Sequence, residues 1–435
     1  MLTERPKEIL FYILVGIVLT GALWRVFSGT SDPTLDGDAR TQIILAAMYG
    51  VVGLFCVVQF RSTAWLLLHF PALTGLLLLA CISPLWSEEP DLVFRRAVSL
   101  FGTSLFGILL AARLNFAEQL RLARWVFRLA AFACLALFIV APGHGISTDY
   151  GTGSVKAIFT HKNLFGAAMA LGLLVEWYAF DEGTFARITK FTSLGLCAGL
   201  LIVSRSITSI VTVGATFLIL WLFEKLHWRH RIPLSAILLF LVSVVLGVAL
   251  VGVDTSRFTE LLGRSKDLTG RTELWRSVGS MIAARPVLGY GFSGFWGGAS
   301  SESYAVERYV GWSPTYSHNG YLEILLNLGI VGCGLFLIFL YRGLTRVVHL
   351  AEQRRVKEDL WPLGFIVFFV VHNCAECSIL WQNCFEWSLF IATVVSADPV
   401  VYALMNGESV SRELSPGHAI EPEYSPGVQE YAKDT

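Results

Sequence analysis

The chain of 435 residues is 54% hydrophobic and 15% charged, with no net charge and a mean hydropathy of +0.61. Soluble domains carry about 25% charged residues, so a soluble globular protein is excluded and an all-α polytopic membrane protein is expected. The zero balance leaves bulk charge silent about partners; no nucleic-acid partner is expected.

Arg5 and Lys7 precede an apolar run from about Ile9 to Trp24. This resembles a signal peptide, but the run is long and no small-residue cleavage site follows, so a retained first helix is expected. A spanning helix needs about 20 largely apolar residues. Runs of that kind lie near 9–26, 42–60, 64–83, 96–112, 124–141, 164–180, 191–204, 207–223, 233–253, 320–341, 362–380 and 384–402, which gives twelve spans. Most Lys and Arg of the short connections fall on the side shared by both termini. The acidic clusters SDPTLDGD (31–38) and SEEPD (87–91) fall on the other. That bias places both termini in the cytoplasm. The chain then divides into nine spans in 1–253, a long outer loop or cap in 254–318, three spans in 319–402 and a polar, disordered tail in 403–435. No internal repeat is visible, so the inverted repeat of many transporters is missing.

Polar groups within membrane segments are costly and usually functional. The topology sends an unusual number of them to the outer side: Arg205 in IVSRSITSI, His161, Lys162 and Asn163 in FTHKNLFG, Arg264 and Arg271 in LLGRSKDLTGRTELWRS, His318 and Asn319, and Glu376 in VHNCAECSILWQNCFEWSLF. Each has a plainer alternative. Arg205 could snorkel to headgroups, His161 and Lys162 could cap a helix, and the loop arginines could form a solvated face. Taken together they suit one site. Arginine forks fit phosphate oxygens. A histidine at a helix N-terminus is held neutral by the dipole and can serve as a general base. The loop aromatics Phe292, Phe295, Trp296, Tyr304, Tyr309, Trp312 and Tyr316 offer either sugar platforms or interfacial anchors. Glu323 and Asn327, deeper in the helix after His318, face either the cavity or a partner helix. Cys374 and Cys377 have C-x-x-C spacing without a second pair, so no metal site and no cofactor are expected. A rival of another class, a proton-coupled transporter or flippase, would use Glu176 and Glu386 as an intramembrane relay.

His318-Asn319, nine residues and then Gly329-x-x-Gly332 resembles the histidine-glycine pattern of the O-antigen ligase and polymerase superfamily. ISPLWSEEPDLVFRRAVSL, FTHKNLFG, SRSITS, GRTELWRS and ARPVLGYGF are similar to family segments, and HNCAECSILWQNCFEWSLF resembles the ExoQ-type exopolysaccharide polymerase branch. Ile207 replaces the usual glycine of the outer-turn segment. The resemblance implies a GT-C-like, metal-independent glycosyltransferase of the bacterial inner membrane with a periplasmic active site. Its donor would be an undecaprenyl-diphosphate-linked glycan and its acceptor a glycan or a lipid-linked unit. Membrane lipids and other polysaccharide-assembly proteins would be its partners. It also implies that His318 activates the acceptor and that Arg205 with Arg271, or Arg264 in its place, holds the diphosphate. Asn319, His161, Lys162, Asn163, Trp296 and Glu376 would bind acceptor or sugar or support the site, and Gly329 and Gly332 would pack helices. Polymerisation of lipid-linked repeat units is the expected reaction, with ligation to lipid A core or protein as the alternative.

Overall fold

The computed structural model describes residues 6–22, 39–147, 154–180, 183–230, 269–296, 301–353 and 357–406. The run 233–253, Arg264, the acidic cluster 31–38 and the tail from 407 lie outside them. Every other apolar run contains helix. In chain order the helices are α1 (Pro6–Leu19), α2 (Ala39–Val58), α3 (Phe60–His69), α4 (Pro71–Ile82), α5 (Pro90–Arg113), α6 (Phe116–Val140), α7 (Lys162–Tyr178), α8 (Thr184–Ser204), α9 (Ile207–His230), α10 (Thr269–Ala284), α11 (Ser301–Val310), α12 (Gly320–Glu352), α13 (Trp361–His372), α14 (Phe385–Ser396) and α15 (Pro399–Asn406). The only strands among the described residues are a two-residue antiparallel pair, β1 (Ile146–Ser147) with β2 (Ser154–Val155). Six helices are long and apolar enough to cross a membrane, or up to eight if each bent pair is one span. The protein is an all-α polytopic membrane protein.

Two expected spans are bent rather than straight. The run 64–83 turns by 96° between α3 and α4, and 384–402 turns by 91° between α14 and α15. Each bend precedes a proline, Pro71 or Pro399, which cannot donate a backbone hydrogen bond and pushes the residue before it out of helical geometry. Phe70 accordingly has φ −113° and ψ 68°. The two elbows meet at one buried carboxylate: Asp398 Oδ2 lies 3.2 Å from His69 Nε2 and 2.7 Å from Arg346 of α12.

The interior is built from α5, α7, α12, α13 and α14. Of the twelve residues of α13, WPLGFIVFFVVH, all but the partly buried Val371 are buried, as expected for a helix that is apolar on every face. Between α5 and α14 the small residues Thr103, Ser104 and Gly107 allow close approach, while Gly102 of α5 admits Tyr49 of α2. A Cβ on Gly107 would stand 2.6 Å from Ser388 O. Ser388 Oγ donates to Thr103 O and Trp387 Nε1 donates to Ser104 Oγ. Small residues with interhelical hydrogen bonds are the packing mode expected where lipid supplies no hydrophobic drive. Ile43, Leu54, Val57 and Val58 of α2 stay exposed on the outside of the bundle.

Helix α12 is interrupted. Gly329 takes φ 62° and ψ −161°, which splits it into 320–328 and 330–352. The freed backbone groups bond to the segment after α10: Tyr290 N donates to Leu326 O, Gly291 N to Asn327 O, and Ile330 N to Pro286 O. A Cβ at Gly329 would stand 2.2 Å from Val287 O, and one at Gly332 would stand 2.4 Å from Leu328 Cβ in the turn before it. These glycines therefore do not seat a neighbouring membrane helix, as the spacing alone suggested. Gly329 breaks α12 so that the 286–291 segment can dock in the gap. That segment, α10 and α11 share a second apolar cluster of Leu274, Val278, Tyr290, Phe295, Trp296, Val306 and Leu326.

Gly329→Ala should lower thermal stability in detergent by at least about 1–2 kcal/mol, the cost of a left-handed residue bearing a Cβ. Gly334→Ala, whose added Cβ meets nothing within 4 Å, should not destabilise. Equal melting of the two variants would count against the docking role of the break.

Candidate active site

Helix α12 begins under strict local control. Asn319 is its N-cap: Oδ1 accepts from Tyr321 N and Leu322 N, and Nδ2 donates to Cys374 O. With those bonds made, Asn319 sets the helix start rather than contacting an acceptor. Gly320 N reaches Asn373 O and Glu376 O, and a Cβ there would collide with Asn373 Oδ1 at 2.3 Å. The start of α12 is thus docked on the connection between α13 and α14. Glu323 turns back toward the preceding loop, where its Oε2 accepts from Ser317 N at 2.8 Å and Trp296 Nε1 at 3.2 Å, and Asn327 Nδ2 donates to its Oε1. Glu323 and Asn327 therefore face neither a cavity nor a partner helix. They hold the turn that carries His318.

His318 sits in that turn with φ 52°, a conformation uncommon for a residue with a Cβ. Its ring packs 4.0 Å from Tyr316 and 5.9 Å from Trp312, centroid to centroid. Nδ1 is buried and lies 3.5 Å from Glu376 Oε2, without hydrogen-bond geometry. The left-handed non-glycine residues among those described are Ala157, Arg205, Ser293, His318, Leu380 and Asn383. All of them fall in connections that the sequence assigns to the outer side. Strained backbone is retained where the surrounding structure over-determines it, and functional sites are its usual home.

Glu376 is the centre of the arrangement. Its Oε1 accepts from Arg271 NH2 at 2.9 Å and from Asn163 Nδ2 at 2.5 Å, and its Oε2 accepts from Tyr316 OH at 2.9 Å. Arg271 NH1 also donates to Ala375 O. Burial by itself would raise the Glu376 carboxyl, but Arg271 and His318 overcome it and hold the group well below the usual carboxylate range. Burial in turn pushes the Tyr316 phenol up, with Glu376 beside it adding to the shift. A charged carboxylate and a neutral phenol are the forms that suit their bond.

Helix α7 enters from the other side. His161 is its N-cap and accepts from Asn163 N through Nδ1, so the capping alternative holds for this residue. His161 lies within electrostatic reach of Glu376, His318, Lys162 and Arg271. Asn163 Oδ1 accepts from Ser206 Oγ, and Ser206 shares a hydrogen bond with Ser209. That contact brings the α8–α9 turn, where Arg205 is the exposed, left-handed C-cap of α8, to the same end of the bundle.

The structure thus brings together His318, Glu376, Arg271, Asn163, His161 and Lys162, with Arg205 one residue from the Ser206 contact. It removes Trp296. That side chain is 2% exposed and its indole N–H is spent on Glu323, so it is core and cannot stack on a sugar. Phe292 and Phe295 are likewise buried, whereas Tyr304 and Tyr309 are exposed. Tyr316 and Ser206 were not singled out for these roles. Their only advance signal is position beside His318 and Arg205. The two intramembrane glutamates are both tied. Glu176 binds Arg124 and Arg128, and Glu386 binds His372 at 3.1 Å and Ser378 at 2.5 Å. Among the described residues no group of three His, Cys, Asp or Glu side chains is placed to hold a metal.

Residues 192–337 match the family model described as O-antigen ligase. A protein of Rickettsia typhi with the provisional name polysaccharide ligase is 25% identical over 267 residues, 58% of this chain and 61% of the relative. Proteins of the same provisional name are 26% identical over 342 residues in Rickettsia felis, covering 74% and 79% of the two chains, and 30% identical over 210 residues in Rickettsia conorii, covering 46% and 50%. The match spans about three fifths of the Rickettsia typhi and Rickettsia prowazekii relatives. None of these relatives is named for the exopolysaccharide branch. The family match holds Arg205, Arg271, His318 and both motif glycines, while Asn163 and Glu376 lie outside it.

Trp296→Ala should cost about 3–5 kcal/mol of stability, as for other buried tryptophans. Tyr304→Ala and Tyr309→Ala should change it by no more than about 0.5 kcal/mol. Thermal melts of the three purified variants check this, and a Trp296→Ala protein of full stability with impaired sugar binding would restore the platform reading.

Proposed function

From the O-antigen ligase domain at the centre of the chain, we propose that this protein is a metal-independent glycosyltransferase of the bacterial inner membrane. It moves a glycan from an undecaprenyl-diphosphate carrier to an acceptor hydroxyl. The convergence of Arg271, Asn163, Tyr316 and His318 on Glu376 carries the proposal: a cation, a base and its carboxylate partner meet at one end of the bundle. The active site is periplasmic, both termini are cytoplasmic, and the described parts of the outer loop, 269–296 and 301–318, cap the site.

In this reading His318 Nδ1 faces Glu376, which leaves Nε2 for the acceptor. Nε2 takes the hydroxyl proton as the acceptor oxygen bonds to the anomeric carbon. The bond from that carbon to the phosphate oxygen breaks, and the diphosphate leaves with the electron pair. Once Nδ1 bonds to Glu376, the carboxylate holds the ring in one tautomer and stabilises the imidazolium that forms. Arg271 and Arg205 neutralise charge growing on the leaving group. Arg264 competes for that role. The family description and the relatives' names favour ligation of a finished glycan. The likeness of 372–390 to the exopolysaccharide polymerase branch supports the second reading, polymerisation of lipid-linked repeat units. Sizing the lipid-linked glycan in a deletion strain separates them: stranded full-length chains mean ligase, single repeats left on the carrier mean polymerase.

His318→Ala should lower kcat by about 10²–10⁴-fold, the usual worth of a general base, with protein level unchanged; in vitro transfer from lipid-linked donor measures it, and retained activity would remove the base assignment. Arg271→Lys should lose about tenfold or more in kcat/KM, because a point charge lacks the planar fork. Full rescue by lysine would exclude bidentate phosphate binding. Transfer by purified protein without any ion gradient would eliminate a proton-coupled transporter.

A further inference from the structure

Arg271 is proposed above to grip a diphosphate, yet two of its donors are already engaged. NH2 is on Glu376 Oε1 and NH1 is on Ala375 O, both at 2.9 Å. His318 is the converse. Its Nδ1 is buried and faces Glu376 Oε2 at 3.5 Å, and no hydrogen bond is made. Glu376 therefore holds one donor of the arginine and leaves the histidine unsatisfied. A carboxylate oxygen and a phosphate oxygen accept alike from a guanidinium, so Glu376 Oε1 occupies a position that a phosphate oxygen would take.

We propose that Glu376 is an exchangeable counter-ion: the donor's diphosphate displaces it from Arg271, and the released carboxylate closes onto His318 Nδ1. This rests on the diphosphate-linked donor proposed above. Asn163 and Tyr316 keep hold of the carboxylate during the exchange, since neither of their bonds uses Arg271. Repulsion between the incoming phosphate and the carboxylate drives the closure. The other charged and titratable groups around the pair are His161 and Lys162 from α7, with His372 from α13 and Glu386 from α14. The consequence is an order of events. Donor binding completes the contact that orients the base, so His318 becomes competent only when a donor is in place. After transfer, Glu376 returns to Arg271 and competes with the lipid diphosphate product, which promotes its release.

The sign of one mutational effect tests this. The probe is farnesyl diphosphate, a short polyprenyl diphosphate, and its affinity is measured for the full chain in nanodiscs. If Glu376 is a competitor for Arg271, Glu376→Gln should bind the probe about tenfold tighter than wild type, although transfer activity falls. Glu376→Asp, which draws the carboxylate back by one methylene, should shift affinity in the same direction by less. If Glu376 is only a strut that positions Arg271, both variants bind the probe more weakly or equally, and that result overturns the exchange. Arg271→Ala separates the two levels: unchanged probe affinity in that variant sinks the diphosphate reading itself, whereas lost affinity together with weaker binding by the Glu376 variants sinks the exchange alone.

Discussion

A carboxylate buried where helices end must collect donors or lose its charge, and Glu376 collects them from separate parts of the chain. Asn163 comes from the first turn of α7, Arg271 from α10, Tyr316 from the loop before α12, and His318 stands beside them. An unpaired charge there would cost several kcal/mol. The requirement therefore fixes the mutual placement of elements that lie more than 200 residues apart in sequence. Since the connection bearing Glu376 also caps the start of α12, the same residue sets where the histidine-bearing turn meets the bundle.

The second constraint is backbone hydrogen bonding at membrane depth. Breaking a helix in an apolar environment exposes groups that water cannot satisfy, so a break persists only where protein fills it. At Gly329 the segment 286–291 does so, and α10 and α11 are thereby attached to α12 through backbone bonds as well as through apolar packing. Glu323 then links Trp296, in the loop that follows this segment, to Ser317, one residue before His318. Motif histidine and motif glycine are two ends of one device. The glycine admits the loop, and the loop with Glu323 and Asn319 holds the histidine in a left-handed conformation it would not adopt alone.

The other ionisable groups in the bundle carry the opposite lesson. Glu176 is enclosed by Arg124 and Arg128 roughly 20 Å along α7 from its N-terminus, at the helical rise per residue. Asp398 joins two helix elbows to α12. Both are paired groups that secure helices to one another. What distinguishes the Glu376 cluster is an incomplete contact at His318, itself held in a left-handed conformation.

Much of the architecture was legible in the sequence because lipid imposes it. Apolar runs of about 20 residues have to be helices, and every described run contains one. One-sided polarity in the sequence points His318, Arg271, Asn163 and Glu376 to a common end, because uncompensated polar groups are rare in such a chain. Three things depended on tertiary contacts. The bends at Pro71 and Pro399 stay within apolar runs, so hydropathy does not register them. Trp296 looks like a sugar platform on a polar loop until the second apolar cluster buries it. Gly329-x-x-Gly332 has the spacing of a helix-packing motif, but spacing carries no information about φ, and only the docked loop shows that the first glycine breaks the helix. The sequence by itself determined which residues could not be left in lipid. Only the fold decided which of them satisfy one another and which, like His318 Nδ1, are left facing a partner not yet bonded, because that depends on distances between segments that share no local pattern.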